Sequence, residues 1–333
     1  MLREKGGLRD RGPSHVTAPG PPDPRCLARQ ALLRPRRAGT YSIIAIDEEA
    51  QQMGVAVQSH WFCVGSIVCW AEAGVGVVAT QSVAEPSYGP LGLALMRGGK
   101  RADEALRALL SVDPLANVRQ VAMLDIGGRV AVHTGNDCIP EAGHLVGRRF
   151  SVQANLMSSA GVWPAMAEAF EAAEGSLAQR LLAALEAGER AGGDVRGRQS
   201  AAMLIVSLRA KGHPSADKLV DLRVDDHPEP LQELRRLLRI HEAYEHANRG
   251  DQLLAEGKTA EALLEYRLAS EKAPENDELR FWQGIALLNA GNSEQALPLL
   301  REVLGSNSRW RKVLAGLPQA LLRRREQLRE LLQ

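Results

Sequence analysis

A threonine at the head of the first predicted strand is the residue in this chain best suited to covalent chemistry. Thr40 opens the apolar segment TYSIIAID, residues 40–47, directly after Gly39. A hydroxyl is a weak nucleophile until a base removes its proton. If Thr40 were the first residue of a chain, its own α-amine, with a pKa of about 7.7–8, could be that base near neutral pH. Nucleophile and base would then belong to one residue, which suits attack on an amide carbonyl.

Strand signals grouped as hairpins would hold this threonine in a sheet. Segments rich in Val, Ile and Ala predict strands at 40–47, 53–59, 64–70, 75–81, 119–125, 129–134, near 150–155, 201–207 and 218–224. Amphipathic patterns predict helices at 86–98, 102–110, about 161–174 and 176–191. Hairpins alternating with groups of helices favour antiparallel sheets between helical layers over βαβ units. The sequence therefore predicts an α+β fold in which two sheets are sandwiched between helices.

The C-terminal part of the chain carries an internal repeat typical of tetratricopeptide proteins. The matching positions are Gly250 and Gly284, Leu253 and Leu287, Gly257 and Gly291, and Ala262 and Ala296. Small residues let the two helices of a repeat approach closely, and the second glycine of each copy falls in the turn between them. The first copy also carries the later residues of the pattern, Tyr266, Ala269 and Pro274. A last amphipathic helix, about 317–332, is predicted to cap the stack.

Composition and charge exclude several classes of function. The net charge of +1 over 333 residues gives no global argument for nucleic acid binding. No apolar stretch reaches about 18 residues without a charge, so no membrane span is predicted. Four cysteines without a CxxC pattern need no disulfide framework and favour the cytoplasm.

No metal or cofactor is predicted. The GxGxxA match at 74–79 lies inside a predicted strand and opens no helix, which argues against a dinucleotide site. His133 and His144 flank Asp137 and Cys138, but their spacing matches no standard zinc pattern. We interpret these four residues as loop residues near the mouth of the site.

The first 39 residues differ from the rest of the chain. They contain six of the 17 prolines and nine Lys/Arg against three Asp/Glu, without a periodic apolar face. Such a segment is expected to be disordered, and it lacks the apolar core of a secretory signal. Two interpretations remain open: a tail or over-extended translation start, and a pro-segment whose removal exposes Thr40.

Several blocks of sequence, in order, resemble one known family. They are TYSIIAID, GVAVQSHWFCVG, WAEAGVGVVATQS, PSYGPLGL, HTGNDCIPEAGH, SVQANLM, GGDVRGRQSAA and VDLRVDDHPEP. Over roughly residues 40–230 the chain is similar to the DUF1028 family of N-terminal-nucleophile (Ntn) hydrolase-like proteins. The resemblance implies a four-layer αββα fold shared with proteasome β subunits and other amide hydrolases, and it supplies no substrate.

The start of the domain departs from those relatives. In them the threonine typically follows the initiator methionine, whose removal would expose it. Here Gly39 precedes Thr40, and no methionine occurs between Met1 and Met53. Exposure of the amine therefore requires cleavage of the Gly39–Thr40 bond, and such a Gly-Thr junction resembles the autoprocessing site of proteasome β precursors.

The resemblance also implies helper residues around Thr40. Ser59 ends the second predicted strand, where an orienting hydroxyl or carboxylate often lies, and Gln81 ends the strand that closes the first sheet. Asn155 closes the SVQAN strand and could supply an amide donor. Polar residues at strand ends also cap backbone groups in most proteins, so a purely structural role is the alternative for each of them.

A glycine-rich loop completes the predicted site. Arg196 and Ser200 lie in or just after this loop and could approach the α-amine of Thr40, and Asp194 could pair with Arg196. These roles rest on analogy of fold. The predicted catalytic set is Thr40, Ser59, Gln81, Asn155, Asp194, Arg196 and Ser200.

The sequence leaves two functional hypotheses. The domain division is a tail or pro-segment at 1–39, an Ntn-like domain at 40–226, a linker or helix at 227–240, and helical repeats at 241–333. The first hypothesis is an amidohydrolase acting on a small metabolite or peptide through Thr40. The second is a non-catalytic platform whose repeats bind a protein partner or mediate oligomerisation. A homodimer is expected in either case, without nucleic acid or membrane partners.

Overall fold

The computed structural model describes residues 37–324, with the side chains of residues 37, 38, 214 and 215 outside the description. Most of the predicted tail or pro-segment at 1–39 therefore lies outside the described residues, as does the end of the predicted capping helix at 317–332. The described part of that helix, residues 317–324, forms turns rather than a helix.

Thr40 lies in the larger of two antiparallel sheets. The strands of this sheet are β2 (Thr40–Asp47), β3 (Gln52–Ser59), β8 (Gly143–Gly147), β9 (Phe150–Asn155), β10 (Ser200–Ser207) and β11 (Lys218–Val224). Within the described residues their order is β11-β10-β3-β2-β9-β8. The strand that begins with Thr40 is therefore central and has hydrogen-bonded neighbours on both sides.

A second sheet faces the first. Its strands are β1 (Arg37–Ala38), β4 (Cys69–Glu72), β5 (Gly76–Val83), β6 (Arg119–Asp125) and β7 (Val130–Thr134). Among the described residues β1, β5, β6 and β7 follow in order, and β4 also pairs with β5. The chain thus crosses from the second sheet to the first at Gly39, between β1 and β2.

Helices cover the outer faces of both sheets. The helices of this part of the chain are α1 (Gly65–Val68), α2 (Tyr88–Arg97), α3 (Ala102–Val112), α4 (Val162–Ala172), α5 (Leu177–Arg190) and α6 (Pro214–Asp217), with a 3₁₀ turn at Ala116–Val118. The pair α2 and α3 packs on the second sheet, and the pair α4 and α5 packs on the first. The predicted αββα sandwich is confirmed.

Alternation along β2 separates two cores. Ile44 and Ile46 point between the sheets, where they pack with Val55 and Val57. Tyr41 and Ile43 point to the helices on the other face. Because side chains on a strand alternate between faces, Thr40 shares the inter-sheet face with Ile44.

The predicted strand at 64–70 is wrong for most of its length. The chain forms the short helix Gly65–Val68 there, and only Cys69 and Trp70 belong to β4. Cys63 has a φ of 55°, which turns the chain before the helix. The turn is held by distant groups, because Val64 N–H donates to Ser200 Oγ at 3.1 Å. Tertiary contacts override the apolar pattern at this point.

Strand β8 was not predicted, although its residues pair regularly with β9. Its three central residues, His144, Leu145 and Val146, are exposed, because β8 lies at the edge of the sheet. An edge strand has no buried face that repeats in the sequence, so the alternation that predicts a strand is missing.

A long helix joins the sandwich to the repeats. The helices of this part are α7 (Pro230–Ala255), α8 (Thr259–Lys272), α9 (Asp277–Asn289), α10 (Ser293–Ser306) and α11 (Arg309–Gly316). The start of α7 packs on the sandwich core through Leu231, Leu234 and Leu238. No helix within residues 37–324 is long and apolar enough to cross a membrane.

The repeat glycines lie where helices approach each other. A Cβ on Gly284 would come within 2.7 Å of both Cγ and Cδ2 of Leu300 on the next helix, and one on Gly250 would come within 3.0 Å of the Tyr266 ring. Gly257 and Gly291 have φ values of 78° and 91° in the turns between helices. Close helix packing therefore requires glycine at 250 and 284, and the positive φ of the turns favours glycine at 257 and 291.

Two glycines in adjacent repeat helices should respond to alanine in opposite directions. We expect Gly284→Ala to lower the free energy of unfolding by about 1–3 kcal/mol, because the added methyl overpacks the contact with Leu300. Gly305, on helix α10, has no atom within 4 Å of a built Cβ. We expect Gly305→Ala to raise stability by about 0.5–1 kcal/mol, because alanine favours helix. Urea unfolding of both variants measures this, and equal effects would contradict the packing argument.

Candidate active site at the head of the first sheet

Polar side chains line the end of the first sheet on its inter-sheet face. Thr40 pairs in register with Ser59 on one side and with Asn155 on the other. Ser59 in turn pairs with Ser200. These four residues form a row across β9, β2, β3 and β10, and all four are fully buried. The row forms because β2 and β10 begin, and β3 and β9 end, at the same level of the sheet.

Two hydroxyls and one backbone carbonyl form a hydrogen-bonded relay. Thr40 Oγ1 donates to Ser59 Oγ at 3.1 Å. Ser59 Oγ donates to the carbonyl oxygen of Gly39 at 2.5 Å. The hydroxyl of Thr40 is therefore linked, through one side chain, to the carbonyl of the residue that precedes it.

The same carbonyl accepts a second hydrogen bond from a guanidinium group. Arg196 Nη2 donates to the oxygen of Gly39 at 2.8 Å. A hydrogen bond from an ionised donor is roughly twice as strong as one between neutral groups. Two donors converge on one carbonyl oxygen, which is the arrangement that stabilises negative charge when a nucleophile adds to the carbonyl carbon.

Asp194 fixes the position of Arg196. Arg196 Nε donates to Asp194 Oδ1 at 3.0 Å, and Nη2 donates to Oδ2 at 2.7 Å. The Asp194 side chain is fully buried, whereas that of Arg196 is 26% exposed. The predicted pairing of the two residues is thus present, and it holds the guanidinium at the Gly39 carbonyl.

Buried amides form the floor of the site. Gln81 Nε2 and Asn155 Nδ2 both donate to the backbone oxygen of Thr40, at 3.3 and 3.4 Å. Both also donate to Gln120 Oε1, at 2.7 and 3.0 Å. The amide groups of Gln81 and Asn155 hold the backbone of Thr40, and they do not contact its hydroxyl.

Gln120 joins these amides and was missed in the sequence. Its Nε2 donates to Thr134 Oγ1 at 2.9 Å and to the carbonyl oxygens of Ala154 and Gly143 at 2.9 and 3.1 Å. The only signal was a glutamine inside the apolar strand RQVAMLD, whose residues are all buried. A polar residue on the buried face of a strand needs partners, and those partners come from other strands.

Ser200 does not contact Thr40. Its hydroxyl donates to the carbonyl oxygen of Trp61 and accepts from the N–H of Val64 at 3.1 Å. Ser200 therefore lies beside Ser59 in the sheet, while its side chain holds the loop that follows β3. The other six predicted site residues form one connected cluster through their side chains or through the backbone of Gly39 and Thr40.

Two buried glutamines, Gln120 and Gln58, provide a matched pair of variants. Gln120→Met removes the hydrogen-bond partner of five groups, so we expect the free energy of unfolding to fall by about 2 kcal/mol. Gln58 is equally buried, but among the described residues neither of its amide atoms has a hydrogen-bond partner. We expect Gln58→Met to be neutral or stabilising, because it removes an unsatisfied buried amide. Chemical denaturation compares the two, and a loss at Gln58 as large as at Gln120 would refute this account.

A cleft of about 640 Å³ opens beside the buried amides. Thr134, Cys138, His144 and Trp163 are among its lining residues. Thr134 Oγ1 and His144 Nδ1 lie 2.8 Å apart, so a hydrogen-bonded path runs from the cleft through Gln120 and its two amide partners to the backbone of Thr40. Burial, with a smaller contribution from the charge of His133, lowers the pKa of His144. Among residues 37–324 no group of three or more His, Cys, Asp or Glu is arranged to hold a metal ion.

The fold defines an αββα sandwich protein with a helical-repeat extension. The chain belongs to the DUF1028 family, described as a family of unknown function, whose model matches residues 40–234. A tetratricopeptide repeat model matches residues 253–317. Both resemblances predicted in the sequence are therefore confirmed.

A solved structure supports the same assignment. The crystal structure of a DUF1028 protein from Silicibacter pomeroyi is 33% identical in sequence, with a TM-score of 0.55. The similarity covers 60% of this chain and 85% of that chain. Among curated proteins, none matches this chain.

Proposed function

We propose that this protein is an Ntn hydrolase that cleaves an amide or related C–N bond of a small metabolite or peptide, with Thr40 as the nucleophile. The observation that carries the proposal is the Gly39 carbonyl oxygen, held between the Ser59 hydroxyl and the Arg196 guanidinium next to the Thr40 hydroxyl. This carbonyl is polarised by two donors, one of them ionised, and nucleophilic addition requires such polarisation.

The first reaction of the site would be cleavage of its own chain. Thr40 Oγ1 adds to the carbonyl carbon of Gly39 while Ser59 accepts the hydroxyl proton and gives its own proton to the carbonyl oxygen. The tetrahedral intermediate collapses as the C–N bond breaks and the nitrogen takes up the proton. Gly39 is then joined to Thr40 by an ester, and water hydrolyses that ester to give a carboxylate at Gly39 and a free hydroxyl at Thr40.

The products of that reaction would form the working site. Thr40 would gain a free α-amine beside its hydroxyl, and this amine would act as the general base towards a second amide. Ser59 and Arg196 would remain to stabilise the oxyanion. The carboxylate of Asp194 would stay near the new amine, since it lies 2.7 Å from where a Cβ on the preceding residue, Gly39, would be.

Burial of Thr40 is consistent with this sequence of events. Thr40 and Gly39 are both buried while the bond between them is intact. Departure of Gly39 and the strand before it would open a path to the hydroxyl. The family match begins at Thr40 itself, which supports the interpretation that the preceding residues are not part of the conserved domain.

Intact mass spectrometry of the purified full chain tests the proposal. We expect a species lacking residues 1–39, whose first residue by N-terminal sequencing is Thr40. Arg196→Gln removes the ionised donor, and we expect it to slow formation of this species by about 100-fold, the usual effect of removing one oxyanion donor. A chain that stays at its full mass under all conditions, with no labelling of Thr40 by an electrophile, would rule out the hydrolase.

A second candidate function is favoured by the repeats and by the burial of Thr40 in the uncleaved chain. In it, the sandwich is a non-catalytic platform, and the repeats bind a protein partner or form a homodimer. A groove of about 580 Å³ in the repeats is lined by Tyr266, Trp282 and Ile285, among others. Light scattering of the full chain and of Trp282→Ala measures whether this surface joins two copies.

The proposed compartment is the cytoplasm. The three cysteines in the described part of the chain, Cys63, Cys69 and Cys138, are free thiols. Free thiols are typical of a reducing compartment. Fractionation of cells expressing the tagged chain tests this proposal.

A further inference from the structure

Position 39 requires glycine because a side chain would not fit there, and not because of the backbone conformation. Its φ lies outside the left-handed region that favours glycine. A Cβ built on Gly39 would lie 2.7 Å from Asp194 Oδ2, 2.8 Å from Oδ1 and 2.9 Å from Cγ. All three distances are shorter than the van der Waals contact of a methyl group. The carboxylate of Asp194 therefore occupies the place of any side chain at this position.

Asp194 has little freedom to move away. Its Oδ2 accepts from the N–H of His60 at 3.2 Å, and its Oδ1 accepts from the N–H of Arg196 at 3.0 Å. Two further bonds come from the guanidinium of Arg196. The side chain is completely buried, so a rotation would strand a charge without solvent. The Asp194 carboxylate is therefore held rigidly beside Gly39, although a free aspartate side chain is flexible.

The chain before Gly39 is held in an extended form. Arg37 pairs with Val83, and Ala38 pairs with Ser82, in antiparallel register with β5. An extended peptide would add to the same edge of β5 by backbone hydrogen bonds, once the cleaved segment had left. The carbonyl that follows this strand is the one held by Ser59 and Arg196.

We propose that Asp194 makes the site selective for a glycyl acyl group. The substrate class is an extended peptide, or a small amide, in which glycine directly precedes the C–N bond that is cleaved. The inference rests on the proposed hydrolase function. The oxyanion donors that hold the Gly39 carbonyl hold the substrate carbonyl, and Asp194 then excludes a methyl group on the adjacent carbon. One extra or missing methylene in a binding pocket changes kcat/KM by about 10- to 200-fold.

Two coumarin amides test the selectivity on the cleaved wild-type protein. The first is acetyl-Arg-Ala-Gly-aminomethylcoumarin, which copies residues 37–39, and the second carries alanine in place of glycine. We expect kcat/KM for the glycyl amide to be about 100-fold higher. Equal rates for the two amides would overturn the selectivity and leave the hydrolase standing. Cleavage of neither amide, in a chain that keeps its full mass, would remove the hydrolase and the selectivity together.

Variants of the chain itself separate the role of Asp194 from a general loss of activity. We expect Gly39→Ala to slow release of residues 1–39 by about 100-fold relative to wild type. In an Asp194→Ala background, the chains with glycine and with alanine at position 39 should both release residues 1–39 slowly. The ratio of their two release rates should fall to near one. A ratio that stays near 100 in this background would show that another group, and not Asp194, excludes the methyl. Circular dichroism verifies that each variant is folded.

Discussion

Thr40→Ala is expected to abolish both self-cleavage and hydrolysis of an added amide. The variant removes the only hydroxyl that is bonded to Ser59 and next to the Gly39 carbonyl among the described residues. Loss of a nucleophile lowers kcat by at least about 1,000-fold, because the remaining groups cannot form the acyl-enzyme. Intact mass over time measures self-cleavage, and the glycyl coumarin amide measures hydrolysis.

Thr40→Ser provides the matched control for this variant. Serine keeps the hydroxyl and, after cleavage, the α-amine, so we expect self-cleavage to continue at a measurable rate. The alanine variant loses one hydrogen bond within the row of polar residues, so its thermal unfolding should stay close to that of wild type. Full activity in Thr40→Ala would mean that another residue is the nucleophile and that the proposed mechanism is wrong.

A buried ion pair next to the strand before Gly39 should give the largest change in stability. Arg119 Nε donates to Asp113 Oδ2 at 2.8 Å, and their side chains are 4% and 11% exposed. Arg119 also donates to the carbonyl oxygen of Val83, the partner of Arg37 in β1. Asp113→Ala leaves the guanidinium buried without its counter-ion, which we expect to cost about 3–5 kcal/mol of unfolding free energy.

The pH dependence of stability gives an independent measurement of the same pair. Burial alone would raise the pKa of Asp113, but hydrogen bonds from Arg119 and from Leu115 N–H, with the charge of Arg119, lower it overall. A carboxylate with a lowered pKa stabilises the fold above its unfolded pKa of about 3.9 and loses that contribution as the pH falls through the folded value. Wild type should therefore lose stability in this acid range, and Asp113→Ala should lose less.

An exposed ion pair serves as the control for Asp113. Arg239 and Glu275 are bonded at 2.6 Å, but their side chains are 47% and 52% exposed. Solvent screens such a pair, so Glu275→Ala should change the free energy of unfolding by less than about 1 kcal/mol. If Asp113→Ala costs no more than Glu275→Ala, then the buried pair is not a main support of this part of the fold.

The predictions from sequence succeed where local pattern decides the structure. The hairpin of Thr40–Asp47 and Gln52–Ser59 follows from two apolar runs around a polar turn. The repeat glycines follow from periodicity, because close helix approach at Gly250 and Gly284 demands a small residue in both copies. Segment 64–70 fails because its turn is fixed by contacts with Ser200 and Asp225 rather than by its own residues.

For the site, sequence predicted which residues gather but not what each one touches. Predicted strand ends give Ser59, Gln81 and Asn155, and the glycine-rich loop gives Asp194 and Arg196. The predicted end at Gln81 is wrong, because β5 continues to Val83 and lies in the second sheet rather than closing the first. The tertiary structure alone shows that Gln81 and Asn155 hold a backbone oxygen and that Ser200 holds a loop. Gln120 was missed because the sequence shows only one glutamine in an apolar strand, while the partners that explain it lie on other strands.

The family, the αββα class and the repeats follow from the order of residues alone, because strand alternation, block order and period are properties of neighbouring residues. The folded chain is needed to show that Arg196 reaches the carbonyl of Gly39, 157 residues away, and that Asp194 fills the space of a side chain there. Such contacts depend on how distant strands are paired and on the exact placement of a loop. No local pattern carries that information, since hydrogen bonds and steric walls act between whichever groups the fold brings together.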